Sequence, residues 1–271
     1  MAIREFDINI GGIKVRCYEG GKGYPVLMLH GSGPGGSSLG NFAKSMPALA
    51  RSHHILAMDL IGFGRSGRKP REPYFDMKLW VKQAQAGLDR LSRKGPVGII
   101  AHSLSGAIAL RLATTNKKID RVLATGSGGG RFKANRFIKS GWTYPTSEAA
   151  FRRGYEKAVA DSSALTDAFV KDRMEVLSQG DYGDYFSKMF KGDKQAYVDK
   201  MALSHAELRR IKCRVLFVHG MLDVHIPFKT ALLPLADRIP QADVIRLANC
   251  AHGPFLDQPE RFMSIAKSYF G

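Results

Sequence analysis

Three side chains of complementary chemistry stand far apart in the chain: Ser103, Asp223 and His252. A serine hydroxyl becomes a nucleophile when a base takes its proton, and a carboxylate orients that base. The serine lies in Gly98-Ile99-Ile100-Ala101-His102-Ser103-Leu104-Ser105-Gly106, where an apolar run ends in small residues. The helix-forming stretch Ala107 to Ala113 begins at once. Strand, sharp turn with a central serine, then helix is the layout of a nucleophile elbow. The strained backbone at such a serine leaves little room two positions to either side. Ala101 and Ser105 stand there instead of the commoner glycines, and both are small enough to fit. A helix starting at the serine also aims free N–H groups and a positive dipole end at its oxygen. A serine that merely caps a helix would give the same local pattern, so the partners decide.

Two downstream sites supply them. Asp223 closes Val218-His219-Gly220-Met221-Leu222-Asp223 in a loop leaving an apolar run, and His252 follows Cys250-Ala251 after the last such run. The order Ser, Asp, His is one of the known triad orders. Both partners fall at the carboxyl end of a predicted strand, where open α/β sheets place their sites. Asp59 competes for the acid's role, but its early position suits bracing the neighbouring loop. An oxyanion would take one N–H from Leu104, after the nucleophile, and one from Ser32 in the loop His30-Gly31-Ser32-Gly33-Pro34-Gly35-Gly36-Ser37-Ser38. Gly31 and Gly33 let that backbone approach a ligand closely. A phosphate-binding loop is the other reading of this stretch, and no Lys-Ser/Thr follows as a P-loop requires. Of the remaining histidines, His30, His53, His54, His205 and His219 read as structural. His102 is either pocket floor or packing, and His225 either faces the pocket or does not.

The elements that must hold these groups follow from periodicity. Phe6 to Ile10 and Ile13 to Tyr18 alternate around Gly11-Gly12, the pattern of a hairpin. Pro25 to Leu29, Ile55 to Met58, Arg121 to Thr125, Val215 to Val218 and Asp243 to Leu247 read as further strands. Helices are predicted near Asn41 to Ala50, over Met77 to Ser92 and from Gln258 to Tyr269. Strands alternating with helices imply a parallel sheet covered on both faces. The rhythm breaks from 131 to 207, where helical stretches rich in Phe, Tyr, Lys and Ala replace strands. That segment reads as a helical insertion over a core formed by 1–130 and 208–271.

A chain of 271 residues, 44% hydrophobic, accommodates a large core in one domain or two. No apolar run approaches the ~18 residues that span a bilayer, and Met1-Ala2-Ile3-Arg4-Glu5 lacks a signal-peptide apolar region. A cytoplasmic protein without a membrane partner is expected. Cys17, Cys213 and Cys250 have no metal-site spacing and read as buried free thiols. The net charge of +17 raises nucleic acid as a partner. Residues 131–212 carry 16 Lys+Arg and 11 Asp+Glu, a balance of +5, and the rest carries 25 and 13, a balance of +12. These are nearly equal per residue, so no concentrated basic arm exists. No specific nucleic-acid site is expected, although a basic surface attracts anionic small molecules.

Beyond these patterns, His30-Gly-Ser-Gly-Pro-Gly-Gly-Ser-Ser-Leu-Gly-Asn-Phe42 resembles the oxyanion loop of the meta-cleavage product hydrolases. These are serine enzymes of the α/β-hydrolase fold that cut a C–C bond in 2-hydroxy-6-oxo-dienoates. Thr125-Gly-Ser-Gly-Gly-Gly130 resembles their entry to the lid, and Asp161-Ser-Ser-Ala-Leu-Thr-Asp-Ala-Phe-Val-Lys-Asp-Arg173 their lid segment. The resemblance implies a mostly parallel eight-stranded sheet with helices on both faces and a helical lid inserted after strand 6. It implies that Arg173 holds a substrate carboxylate, that Asn41 belongs to a polar pocket, and that no metal or organic cofactor is needed. Three positions depart from the family: His102 stands for its usual Asn, His225 for an aromatic residue, and Gly253 for a Trp after the histidine. An opened pocket near Gly253 would admit a different or larger acyl portion. A carboxylesterase acting on small esters, or a non-catalytic receptor, shares the fold. Dehalogenases and epoxide hydrolases need a carboxylate where Ser103 stands. The sequence is compatible with a homo-oligomer acting on a small molecule that carries a carboxylate.

Overall fold

Eight strands form one sheet in the order β1-β2-β4-β3-β5-β6-β7-β8. The computed structural model describes residues 2–92 and 95–271. Strands β1 (Arg4–Ile10) and β2 (Ile13–Gly20) make the expected hairpin, and β2 runs antiparallel to β4 (His53–Met58). The rest is parallel: β3 (Tyr24–Leu29), β5 (Val97–His102), β6 (Ile119–Thr125), β7 (Arg214–Gly220) and β8 (Ala242–Leu247). Every residue of β5 is buried, which explains its unbroken apolar run.

Helices cover both faces. α1 (Ser38–Phe42) and α2 (Ser45–Leu49) precede β4, α3 (Met77–Leu91) precedes β5, and α4 (Leu104–Ala113) leaves it. α5 (Arg136–Gly141), α6 (Glu148–Tyr155), α7 (Asp167–Leu177), α8 (Tyr182–Met189), α9 (Gln195–Met201) and α10 (His205–Leu208) lie between β6 and β7, with no strand among them. α11 (Leu233–Ala236) precedes β8, and α12 (Pro254–Asp257) and α13 (Pro259–Phe270) close the chain. The larger core packs Trp80, Phe63 and Leu110 with residues of α5–α10, and the smaller one packs Phe42, Phe262 and Phe270 on the opposite face. Trp142 stacks on Phe190 within the helical segment with ring centroids 4.9 Å apart, and Phe75 meets Tyr197 at 4.8 Å, fastening the segment to the core.

Two local differences from the sequence expectation share a cause. The single helix expected near Asn41 to Ala50 is two short ones, because Pro47 has no N–H for a continuous turn and would crowd the carbonyl at 43. Phe228–Leu232 forms a π turn running into α11, an element the periodicity did not disclose. Pro234 interrupts the ordinary pattern there, and Leu232 N–H reaches back five residues to the Pro227 carbonyl at 3.4 Å. All three cysteines are buried and free. No helix among the described residues is long and apolar enough to cross a membrane.

Candidate active site

β5 delivers its last residue, His102, to the sheet's carboxyl edge, and Ser103 turns the chain into α4. Ser103 has φ 56° and ψ −121°, a left-handed backbone that L-residues rarely adopt. Neighbouring backbone holds it there: Ser103 N–H donates to Thr125 O at 2.9 Å, and its carbonyl accepts from Gly128 N–H at 2.9 Å. Ala101 and Ser105 are fully buried, and Ser105 Oγ donates to His30 O at 2.5 Å. A larger side chain at either would have nowhere to go.

The loop after β7 places Asp223, and the loop after β8 places His252. His252 Nδ1–H donates to Asp223 Oδ2 at 2.8 Å, and His252 Nε2 lies 3.1 Å from Ser103 Oγ, where it accepts the hydroxyl proton. Asp223 Oδ1 accepts the backbone N–H groups of His225 and Ile226 at 2.9 and 3.0 Å. Burial alone would raise the Asp223 carboxyl; the His252 ring and its hydrogen bond outweigh this and hold it at about 2. The acid is therefore ionised at neutral pH and fixes the tautomer that leaves Nε2 free. The backbone N–H of His252 donates to Ala158 O of the α5–α10 segment at 3.1 Å.

Leu104 opens α4, so its N–H has no partner one turn back in the helix. Ser32 donates no backbone hydrogen bond among the described residues. Its hydroxyl accepts Trp142 Nε1–H at 3.0 Å, which ties the loop to α5's end. A Cβ on Gly31 would stand 2.7 Å from His102 Cδ2 and 3.1 Å from Ser103 Cβ, so only glycine lets the loop lie this close to the nucleophile. Gly31, Gly33 and Gly36 do carry the Gly-x-Gly-x-x-Gly spacing of a dinucleotide-binding turn. The structure excludes that use: α1 is only five residues long, and the Asp59 carboxylate already takes Ser38 N–H at 2.6 Å. Asp59 also takes Arg65 N–H at 2.8 Å, so it braces two loops away from His252.

Ser103 and His252 open on a cavity of about 310 Å³. Gly31, Ser32, Gly33, Asn41, His102, Leu104, Arg173 and His225 also line it, so the structure gathers nearly every residue singled out from the sequence. Gly253 is the exception and a correction. It precedes α12 and faces Phe255 and Leu256, where a Cβ would meet each at 3.4 Å, so it opens no space in the cavity. His102 Nδ1 pairs with Thr125 Oγ1 at 3.0 Å, and its ring lies 4.8 Å from that of His252. Burial first, then the His252 ring, keeps it neutral. Arg173 is 1% exposed. Its guanidinium makes only long contacts to Pro34 O at 3.4 Å and Gly40 O at 3.3 Å, and its Nε has no partner. Tyr155 and Phe169 cover it with ring centroids 5.4 and 5.0 Å from Cζ. Asn41 Oδ1, nearby, is also buried without a partner. Tyr155, Phe151 and Trp142 line the cavity without having been found in the sequence; helical segments rich in aromatics gave no spacing that marked these three.

An ionised Asp, an oriented His, a strained Ser and free N–H groups beside it make a machine for acyl transfer. The comparisons agree with that geometry. A family profile described as the Alpha/beta hydrolase family matches residues 26–265. A 2-hydroxymuconate semialdehyde hydrolase of Pseudomonas sp. (strain CF600) is 31% identical over 264 residues, covering 97% of this chain and 92% of the relative. A 2-hydroxy-6-oxo-2,4-heptadienoate hydrolase of Pseudomonas putida is 28% identical, covering 96% of this chain and 93% of the relative. Among solved structures, a meta-cleavage product hydrolase from Pseudomonas fluorescens IP01, a serine-to-alanine mutant complexed with acetates, superposes with a TM-score of 0.89. It is 26% identical and covers 98% of this chain, with 97% of its own length matched. On fold, site and likeness together, the chain belongs to the α/β-hydrolase family and, within it, to the meta-cleavage product hydrolases.

Proposed function

We propose that the protein hydrolyses a C–C bond beside a carbonyl in a 2-hydroxy-6-oxo-dienoate, with Ser103, His252 and Asp223 as its triad. The observation that carries this reading is Arg173: a buried guanidinium with no carboxylate partner among the described residues, in the same cavity as the nucleophile. A buried unpaired charge is costly, and a planar fork suits a carboxylate with an adjacent oxygen. The acid end of the dienoate sits against Arg173 and Asn41, which places the ketone at the other end of the cavity, over Ser103.

The dienol first gives up its hydroxyl proton and takes one on carbon, becoming a ketone, so that the fragment to be expelled can leave as a stabilised carbanion. His252 then takes the Ser103 proton, and Oγ attacks the carbonyl while the N–H groups of Leu104 and Ser32 hold the oxyanion. The C–C bond breaks, the proton on His252 passes to the leaving carbon, and an acyl-serine remains. Water, deprotonated by His252, releases the acid. Residues 131–207 act as the lid that closes this space. Three buried thiols support a reducing compartment, the cytoplasm.

A panel that pairs ring-fission dienoates with p-nitrophenyl esters tests the reading. Loss of the dienoates' yellow absorbance at higher kcat/KM than any ester is expected. Fast ester turnover with inert dienoates would make the protein a carboxylesterase.

A further inference from the structure

Asp223, His252 and His225 form a second constellation inside the first. Each offers one ligand atom, and the three atoms lie within 4.8 Å of one another. Around a tetrahedral zinc ion with bonds of ~2.0–2.1 Å, ligand atoms stand ~3.3 Å apart, so small ring rotations close the group. His225 is the member that proton transfer does not require. The residue is 6% exposed, its Nδ1 has no hydrogen-bond partner among the described residues, and it lines the cavity. The ring lies 4.9 Å from that of His252, and Nδ1 is 3.9 Å from Asp223 Oδ1. The cavity gives a hydrated cation a way in.

We propose that Asp223, His225 and His252 form an inhibitory site for a borderline-soft divalent cation such as zinc, which takes His252 Nδ1 away from Asp223. Asp223 Oδ2 exchanges its hydrogen bond for the cation, while Oδ1 keeps the N–H groups of His225 and Ile226. With metal on Nδ1, the proton that this nitrogen gave to Asp223 moves to Nε2, and the imidazole stays neutral. That nitrogen, 3.1 Å from Ser103 Oγ, then cannot accept the serine proton. No proton is lost and nothing is oxidised. Inhibition rests on the triad reading, but binding does not, so the two are measured separately.

Calorimetry with zinc chloride on Ser103→Ala, which keeps all three ligands, is expected to show one site. His225→Gln in that background weakens binding by at least ~10–100-fold, the loss that even second-sphere partners of a metal produce. Cobalt(II) gives an independent optical readout, with visible absorption that appears in the parent and is absent in His225→Gln. In the active enzyme, zinc abolishes turnover and a chelator restores it. The inhibition constant rises by a similar factor in His225→Gln, each variant being compared with its own uninhibited rate. His225→Phe serves the same purpose if the Gln variant does not fold. Binding unchanged by loss of His225, no binding, or binding without inhibition would each overturn the proposal.

Discussion

The two walls of the cavity are built on opposite terms. On the sheet side, polar groups are matched: Asp223 takes three hydrogen bonds, His30 bonds Leu60 N–H and Gly31 O, and His102 bonds Thr125. On the wall made by α1 and α7, Arg173 keeps a bare Nε and Asn41 a bare Oδ1. Each buried group left without a partner costs ~1–3 kcal/mol. A charged group left bare inside the cavity marks the α1–α7 wall as the place for a ligand. The sheet side fixes reacting atoms in place, and the α1–α7 wall recognises. His225 Nδ1 and both ring nitrogens of His219 are exceptions on the sheet side, and of the two rings His225 is the one that lines the cavity.

The harshest test of the sheet side removes the nucleophile. Ser103→Ala should lower kcat on the order of 10⁶-fold, as loss of a serine nucleophile does elsewhere, with the thermal midpoint unchanged. Loss below tenfold in steady-state turnover would take the elbow out of the mechanism. Arg173→Met tests the opposite wall. Hydrogen bonds to a charged group contribute ~1.5–3 kcal/mol, so kcat/KM for a carboxylated dienoate should fall ~10–150-fold. A neutral ester should change less than about twofold on the same count. Its melting temperature should hold or rise, because an unpaired buried charge has gone. Equal losses on both substrates would erase the distinction between the walls.

Stability against pH separates the walls by a smaller margin. Burial holds His225 at about 4 and His30 at about 3 in the folded chain, against 6.5 when free. Between those values the unfolded chain binds protons that the native one does not. The contribution is therefore complete above 6.5 and is lost as pH falls toward 4, with a slope of ~1.4 kcal/mol per pH unit for each such histidine. Asp223 acts in a lower window: held at about 2 against 3.8, it contributes above 3.8 and is lost as pH falls toward 2. Urea midpoints measured from pH 7 to 4 should show the slope. His225→Gln should remove one proton's share of it, and Arg173→Met should ease it only at the acid end, because the guanidinium adds to the burial that holds the His30 ring down. A flat profile in the parent would mean that these rings are hydrated in solution.

What the sequence disclosed follows the same division. β3, β5 and β7 are buried on both faces, so their apolar runs are unbroken and their carboxyl ends locate the loop of Ser32, Ser103 and Asp223 without further help. The α1–α7 wall is assembled from contacts that no local period records. Arg173 was reached only by resemblance, and Trp142, Tyr155 and Phe151 were not reached, because what aims them is the packing of α5–α7 against the loop after β3. Prolines hid the rest: Pro47 splits α1 from α2, and Pro234 disguises the turn into α11. Gly253 failed for a different reason. The resemblance implies a pocket-lining residue after the histidine, whereas here the start of α12 turns position 253 toward Phe255.

That last point yields the mildest test. A Trp at 253 in place of glycine would line the space beside the histidine if the residue faced the substrate, and a methyl there would then narrow it. In the structure the backbone at Gly253 has φ −113° and ψ 82°, and the added methyl meets Leu256 and Phe255 at 3.4 Å, the near edge of ordinary contact. Loss of a glycine at a helix N-cap and gain of chain stiffness oppose each other, each worth less than ~1 kcal/mol. Gly253→Ala should therefore change kcat/KM less than about twofold for acyl groups of any size and shift the melting temperature only slightly. A loss that grows with acyl bulk would mean that α12's first turn moves in solution and brings position 253 into the cavity, joining it to the recognising wall.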